Sequence, residues 1–157
     1  MLLFILRHAD AEPSSTNDFE RALTTKGIEQ ARRVGRFCQE KELRPDLILT
    51  SPLVRARQTA QQFVSAFPEA PEPEVAEFLA SGMDPETGSE ELAAYNRFST
   101  VMIVGHQPDL SRLIAHLLGL NDPSIVRVRK ASLTLLAVHS WRRGGAELEF
   151  ALPCKLM

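Results

Sequence analysis

Three apolar runs of strand length constrain the fold of this chain most strongly. They are Met1 to Leu6, Asp46 to Thr50 and Thr100 to Gly105, and a helix-start signal directly follows each of the last two. A continuous apolar run is typical of a strand that is covered on both faces, as in a parallel sheet. We therefore expect Met1 to Leu6 to be a central strand, and the other two runs to be buried strands that lead into helices.

Apolar residues recur at helical spacing in three segments between and after these runs. One segment extends from Thr25 to about Leu43, and a second begins at Ser51-Pro52, which resembles an N-cap followed by proline at the first helical position. The third begins at Pro108 and carries leucines and an isoleucine at the i, i+3, i+4, i+7 positions. Each of these segments is predicted to be an amphipathic helix.

The remaining elements have weaker signals. Val75 to Leu79 could be a short strand, and Thr87 with Glu90 resembles a capping box that opens a short helix towards Arg97. Ser132 to Ser140 and Glu147 to Leu152 flank a glycine pair, which predicts a terminal hairpin at the sheet edge. The alternation of strands and helices predicts a single α/β domain over residues 1–157, a three-layer sandwich with a mostly parallel central sheet flanked by helices.

Composition excludes several classes of function. The chain has 157 residues, a net charge of −2 and no basic block, so nothing indicates a nucleic-acid-binding surface. No apolar run approaches the roughly 18 residues that cross a bilayer, and Met1 to Leu6 is too short for a signal peptide. Cys38 and Cys154 fit no zinc spacing. We expect a soluble, cytoplasmic protein that is monomeric and binds neither membranes nor nucleic acids.

Two histidines stand where buried strands end. His8 follows the first apolar run directly behind Arg7, and Val104-Gly105-His106 repeats the arrangement later. In parallel sheets, ligands bind outside the carboxyl ends of the strands, and helix N-termini there attract anions such as phosphate. Arg55, near the start of the second helix, would point towards the same place, and arginine can hold two phosphoryl oxygens at once.

These residues predict phosphoryl-transfer chemistry. A neutral imidazole can attack phosphorus and form phosphohistidine, which makes His8 the candidate nucleophile. His106 would stabilise the charge on the phosphoryl oxygens. A metal site made of His8, Asp10 and His106 is the alternative, but the adjacent arginines would repel a divalent cation.

The other two histidines, His116 and His139, lack arginine neighbours at a strand end and are predicted to be structural.

Four motifs resemble the signature of the histidine phosphatase superfamily, the phosphoglycerate mutase-like fold, in order and spacing. They are Arg7-His8-Ala9, Leu23-Thr24-Thr25-Lys26-Gly27, the segment from Ser51-Pro52-Leu53-Val54-Arg55 to Thr59, and Val104-Gly105-His106. The small size and the terminal Leu152-Pro153-Cys154 are similar to the SixA-type phosphohistidine phosphatases, which lack the lid of larger relatives.

The resemblance implies a role for each matching residue. His8 would be the transient phospho-acceptor, with Arg7, Arg55 and His106 around the phosphate, and neither a metal nor an organic cofactor would take part. Arg21 resembles a position at the pocket mouth that assists binding of phosphate or substrate. Glu77 is the nearest candidate for the general acid of larger relatives.

One departure from the family pattern lies beside the nucleophile. The usual Arg-His-Gly is Arg-His-Ala here, and Ala9 would cost roughly 1 kcal/mol or more if its backbone needed a positive φ.

We therefore expect a phosphohistidine phosphatase that acts on a phosphorylated protein, such as a histidine-containing phosphotransfer domain. Phosphohistidine expels an imidazole, which is a better leaving group than an alkoxide and suits an open site without a firm proton donor. Two alternatives fit the same residues: a phosphomonoesterase for a small metabolite with Glu77 as acid, and a non-catalytic phosphoprotein-binding module.

Overall fold

A computed structural model describes residues 1–13 and 17–157 and contains a six-stranded sheet in these residues. The strands are β1 (Leu2–Arg7), β2 (Leu47–Thr50), β3 (Glu74–Val75), β4 (Thr100–Gly105), β5 (Leu133–Val138) and β6 (Ala146–Leu152). The helices are α1 (Thr25–Glu40), α2 (Val54–Ser65), α3 (Pro85–Ala93) and α4 (Asp109–Leu117). Short 3-10 helices occupy Glu77–Leu79, Pro123–Ile125 and Cys154–Leu156.

The sheet order is β3-β2-β4-β1-β5-β6, which confirms the predicted central position of the first strand. Strands β3, β2, β4 and β1 are parallel to one another, whereas β5 pairs antiparallel with β1 and β6 pairs antiparallel with β5. The prediction of a mostly parallel sheet flanked by helices is therefore confirmed. The terminal hairpin is also confirmed, with β6 at the sheet edge.

Alternate residues of β1 pack into separate cores on the two faces of the sheet. Phe4 and Leu6 belong to the core that also contains residues of α1 and α2, whereas Leu3 and Ile5 belong to the core with residues of α4. All four side chains are essentially inaccessible to solvent. The continuous apolar run follows from this double burial, because both faces of β1 are covered from Leu3 to Leu6.

The second helix begins later than its sequence signal indicates. Ser51-Pro52 is not its N-terminus: α2 begins at Val54, and Leu53 is the N-cap residue without a side-chain bond. Ser51 directly follows β2 and continues its pairing with β4, because its backbone N–H donates to the carbonyl of Val104 at 3.0 Å. The first helical N–H, from Val54, donates to the carbonyl of Phe19 at 3.1 Å instead of to a capping side chain.

Two other boundaries differ from their predictions. The first helix ends at Glu40 rather than near Leu43. Thr87 does not open α3, because the Asp84 side chain caps it by accepting from the Thr87 N–H at 3.0 Å, with Pro85 in the first turn.

The predicted strand over Val75 to Leu79 is mostly wrong. Only Glu74–Val75 pairs with β2, and the chain then turns into the 3-10 helix Glu77–Leu79. No helix in the described part of the chain is long and apolar enough to cross a membrane.

Candidate active site

The carboxyl ends of three adjacent parallel strands bring the predicted residues together. Arg7 ends β1 and His8 follows it, Ser51 follows β2, and His106 follows β4. The backbone N–H of His8 donates to the carbonyl of Gly105 at 3.0 Å, so the ends of β1 and β4 stay joined beyond the last paired residues. The rings of His8 and His106 lie with their centroids 5.2 Å apart.

His8 is held as one tautomer. Its Nδ1 lies 2.8 Å from the carbonyl oxygen of Ala9, and since a carbonyl can only accept, Nδ1 carries the hydrogen. The lone pair of a neutral His8 therefore resides on Nε2. Burial, followed in effect by the charges of His106, Arg55 and Arg7, lowers the pKa of His8 to about 3 despite the hydrogen bond to Ala9. At neutral pH the imidazole is uncharged and able to act as a nucleophile.

Ala9 fits the position without a left-handed backbone. The described non-glycine residues with positive φ are Glu42 and Ala131, and Ala9 is not among them. Its side chain is fully buried, and its N–H donates to Oγ1 of Thr59 at 3.0 Å. The hydroxyl of Thr59 in turn donates to the carbonyl of Arg55 at 2.7 Å. Thr59 thus holds the N–H of the residue whose carbonyl orients His8, and the alanine carries no conformational cost.

The two arginines are each held through their terminal nitrogens. Nη1 of Arg7 donates to the carbonyl of Val128 at 3.0 Å. Arg55 donates from Nη1 to the backbone carbonyl of Asp18 at 2.8 Å and from Nη2 to the Asp18 carboxylate at 3.1 Å. In both arginines Nε is buried and has no hydrogen-bond partner among the described residues.

His106 shows the same pattern. Its Nε2 lies 2.7 Å from Oγ of Ser51, a side chain with no exposed surface, whereas Nδ1 is buried without a partner among the described residues. Burial is the main cause that lowers the pKa of His106 to about 4; the charges of Arg55 and Arg7 add to this, and Asp18 opposes it.

Three buried nitrogens without partners therefore belong to three of the four predicted site residues. Buried polar groups are nearly always hydrogen-bonded, so a set of unpaired nitrogens in one site indicates that a ligand completes them. The Nε atoms of Arg7 and Arg55 can only donate, which requires an acceptor. An oxyanion such as a phosphoryl group supplies several acceptor oxygens at once.

The Leu23-to-Gly27 motif positions the chain just after the nucleophile. Thr24 caps α1 by accepting from the N–H of Gly27 at 3.0 Å, and its own hydroxyl donates to the carboxylate of Asp10 at 2.8 Å. A Cβ on Gly27 would lie only 1.9 Å from the carbonyl oxygen of Asp10. Glycine at this position allows the first turn of α1 to touch the backbone two residues after His8.

Two predicted residues lie outside the inner site, which consists of Arg7, His8, Arg55 and His106. Glu77 is exposed at the start of the 3-10 helix after β3, at the same edge of the sheet. Arg21 donates from Nε to the carbonyl of Glu12 at 2.7 Å and pairs with Asp18 at 2.9 Å, so it reaches Arg55 only through that carboxylate.

The two histidines predicted to be structural also lie outside it. His116 is on α4 with its carbonyl accepting from Gly119 and Gly144, and His139 is an exposed residue 3.7 Å from Glu147.

Sequence reasoning missed three residues that orient the site. The sequence predicts Ser51 only as a helix N-cap and Thr59 only as part of a motif, although they contact His106 and Ala9. Asp18 was not assigned a role, although it holds both terminal nitrogens of Arg55. A polar residue on the apolar face of α2, between Ala56 and Phe63, was an available signal for Thr59, whereas no local pattern links Asp18 to Arg55.

Comparison with known proteins agrees with this geometry. The sequence profile of the histidine phosphatase superfamily (branch 1) matches residues 3–83. The phosphohistidine phosphatase SixA of Escherichia coli strain K12 is 29% identical over 138 residues, which cover 86% of each chain. The SixA homologue of Haemophilus influenzae is 30% identical over 136 residues, covering 78% of this chain and 80% of the relative. The solved structure of the protein histidine phosphatase SixA complexed with tungstate superposes with a TM-score of 0.89 at 24% identity, covering 100% of both chains.

Proposed function

The chain belongs to the histidine phosphatase superfamily and is a phosphatase, and we propose that it removes phosphoryl groups from phosphohistidine on a protein. In this proposal His8 is the nucleophile and becomes transiently phosphorylated. The single observation that carries the proposal is the bond from Nδ1 of His8 to Ala9, which leaves the Nε2 lone pair available on a neutral ring.

The neighbouring residues would stabilise the phosphoryl group during transfer. In the transition state, negative charge is spread over the equatorial phosphoryl oxygens. Arg7 and Arg55 bring positive charge to the site, and their unpartnered Nε atoms provide donors for those oxygens. His106 would add a third donor from Nδ1 when Nε2 accepts the Ser51 hydroxyl hydrogen.

The reaction would proceed in two displacements. Nε2 of His8 forms a bond to phosphorus as the bond between phosphorus and the substrate imidazole breaks. The substrate ring, protonated on the nitrogen that does not carry phosphorus, leaves as neutral imidazole. Water then attacks phosphorus, the bond to Nε2 breaks, and inorganic phosphate and neutral His8 result. An imidazole is a good leaving group because its conjugate acid has a pKa of about 6.5, so the first step needs little help from an acid.

Glu77 and Arg21 have subordinate roles in this proposal. Glu77, exposed beyond β3, would donate a proton to leaving groups poorer than imidazole. Arg21 would assist binding indirectly, because it shares Asp18 with Arg55. We further propose a monomeric, cytoplasmic enzyme. The buried, unpaired thiols of Cys38 and Cys154 agree with a cytoplasmic location.

Substrate comparison tests the proposal. We would measure kcat/KM on a phosphohistidine protein, on sugar phosphates and on p-nitrophenyl phosphate, for the wild type and for Glu77→Gln. The phosphohistidine protein should be preferred, and Glu77→Gln should slow the sugar phosphates more than phosphohistidine, because only the alkoxide leaving group needs the acid.

Two results would contradict the proposal. A clear preference for sugar phosphates would identify a phosphomonoesterase for small metabolites. Tight binding of the phosphohistidine protein without turnover would identify a binding module instead of an enzyme.

A further inference from the structure

A strongly basic surface lies beside the phosphate site. It surrounds an open cavity of about 650 Å³ that Arg7 also lines. We define the basic rim as the five cationic side chains that line this cavity outside the inner site: Lys26, Arg127, Arg129, Lys130 and Lys155. The concentration of positive charge here contrasts with the net charge of −2 for the whole chain.

Most of the rim charge is not neutralised by neighbouring acids. Lys130 pairs with Asp10 at 2.6 Å, and Asp10 is the one acidic residue that lines the cavity among the described residues. The other four rim residues are exposed and form no ion pair within the described part of the chain; they are Lys26, Arg127, Arg129 and Lys155. The side chains of Arg127 and Arg129 contribute little to the stability of the fold, because neither donates a hydrogen bond within the described part of the chain.

The rim is fixed relative to the phosphate site through Arg7. The Arg7 guanidinium donates to the carbonyl of Val128, between Arg127 and Arg129, at 3.0 Å. The N–H of Ala131 donates to the carbonyl of Arg7 at 3.1 Å, and Ala131 adopts a left-handed conformation with φ of 52°. A non-glycine residue persists in this conformation only where its surroundings determine it. The segment that carries Arg127 and Arg129 is therefore hydrogen-bonded to the end of β1.

We propose that the basic rim docks an acidic surface of the phosphorylated protein substrate, an inference that rests on the proposed function. The inner residues already account for one phosphoryl group. The rim adds four unpaired cations from three separate elements: α1, the segment before β5 and the C-terminal 3-10 helix. Several carboxylates spread over a protein surface match this distribution better than the one further anionic group of a small metabolite.

Docking of this kind has two measurable consequences. Complementary charges raise the rate of encounter, and the benefit falls as salt screens exposed groups. Exposed ion pairs are individually weak, so reversing two rim charges should weaken binding by about tenfold without affecting the chemical step.

The test uses three synthetic phosphohistidine peptides of equal length, whose flanking residues are acidic, neutral or basic. For the wild type we expect the lowest KM with the acidic flanks and similar kcat for all three. The double variant R127E/R129E should raise KM for the acidic peptide by about tenfold, remove the wild-type salt dependence of that KM, and leave kcat for the neutral peptide unchanged.

A control variant carries the same change of charge elsewhere. Lys41 and Arg44 are exposed at the opposite end of the sheet, between α1 and β2, so K41E/R44E should retain the wild-type peptide preference. Equal KM values for the three wild-type peptides, or an equal effect of both double variants, would overturn docking while leaving the phosphatase proposal intact. If R127E/R129E raised KM only for a small bisphosphorylated sugar and not for the acidic peptide, the rim would bind a metabolite, and docking would also be overturned. Failure to hydrolyse any phosphohistidine peptide would overturn the proposed function itself.

Discussion

Acid should destabilise this protein through the same burial that keeps its two site histidines neutral. Burial lowers the pKa of His8 from an ordinary 6.5 to about 3 and that of His106 to about 4. Between these values and 6.5 the unfolded chain binds protons that the folded chain does not. The free energy of unfolding therefore falls as the pH falls through this window, and it is retained above about pH 6.5.

The magnitude follows from the width of the window. A pH of about 5 lies about 1.5 units below the ordinary pKa of an unfolded histidine. Protonation of the unfolded chain then lowers the free energy of unfolding by about 2 kcal/mol for each histidine that is buried and neutral in the fold. His8 and His106 together should reduce the stability of the wild type by about 4 kcal/mol between about pH 7 and about pH 5. His8→Asn should lose only about 2 kcal/mol over the same interval, because one of the two groups is gone.

Urea unfolding followed by the fluorescence of Trp141, the one tryptophan of the chain, provides the measurement. The control His139→Asn removes an exposed histidine and should retain the wild-type dependence on pH. If the wild type and His8→Asn lose the same stability between the two pH values, His8 is not held neutral by the fold, and the basis for its nucleophilic character is wrong.

Two further substitutions test how the site is positioned. Gly27→Ala should reduce the free energy of unfolding by more than about 2 kcal/mol, because its Cβ would lie 1.9 Å from the Asp10 carbonyl oxygen. Thermal melting measures this loss, with the exposed substitution Arg33→Ala as the control. Thr59→Val leaves the buried N–H of Ala9 without its acceptor, which should cost about 1–3 kcal/mol and lower kcat more than it changes KM. Steady-state kinetics should show recovery in Thr59→Ser, and a normal kcat in Thr59→Val would contradict the positioning role.

Parts of the fold that depend on local pattern could be predicted from the sequence. The apolar run of β1 predicted a central strand because burial on both faces leaves no polar position. The start of α2 could not be predicted in this way, because the first N–H of the helix finds its acceptor at Phe19, 35 residues earlier in the chain by position. A proline after a serine is an equally good local signal for a bend that precedes a helix.

The site also contains residues that local pattern predicts and residues that it does not. The strand ends that carry His8 and His106 are recognisable because the ends of parallel strands meet at one edge. The contact of Asp18 with Arg55 and the bond of Thr59 to Ala9 join residues 37 and 50 positions apart. Such contacts are products of tertiary packing, and only the structure identifies them.

The most direct test of the account is the capture of the phosphorylated enzyme. A ³²P-labelled phosphohistidine peptide would be mixed with the wild type, with His8→Ala and with the control His139→Asn, and the reactions would be stopped rapidly in base. The wild type and His139→Asn should carry label that is stable in base and lost in acid, as expected of phosphohistidine, and His8→Ala should carry none. Label that persists in His8→Ala would contradict the assignment of His8 as the nucleophile.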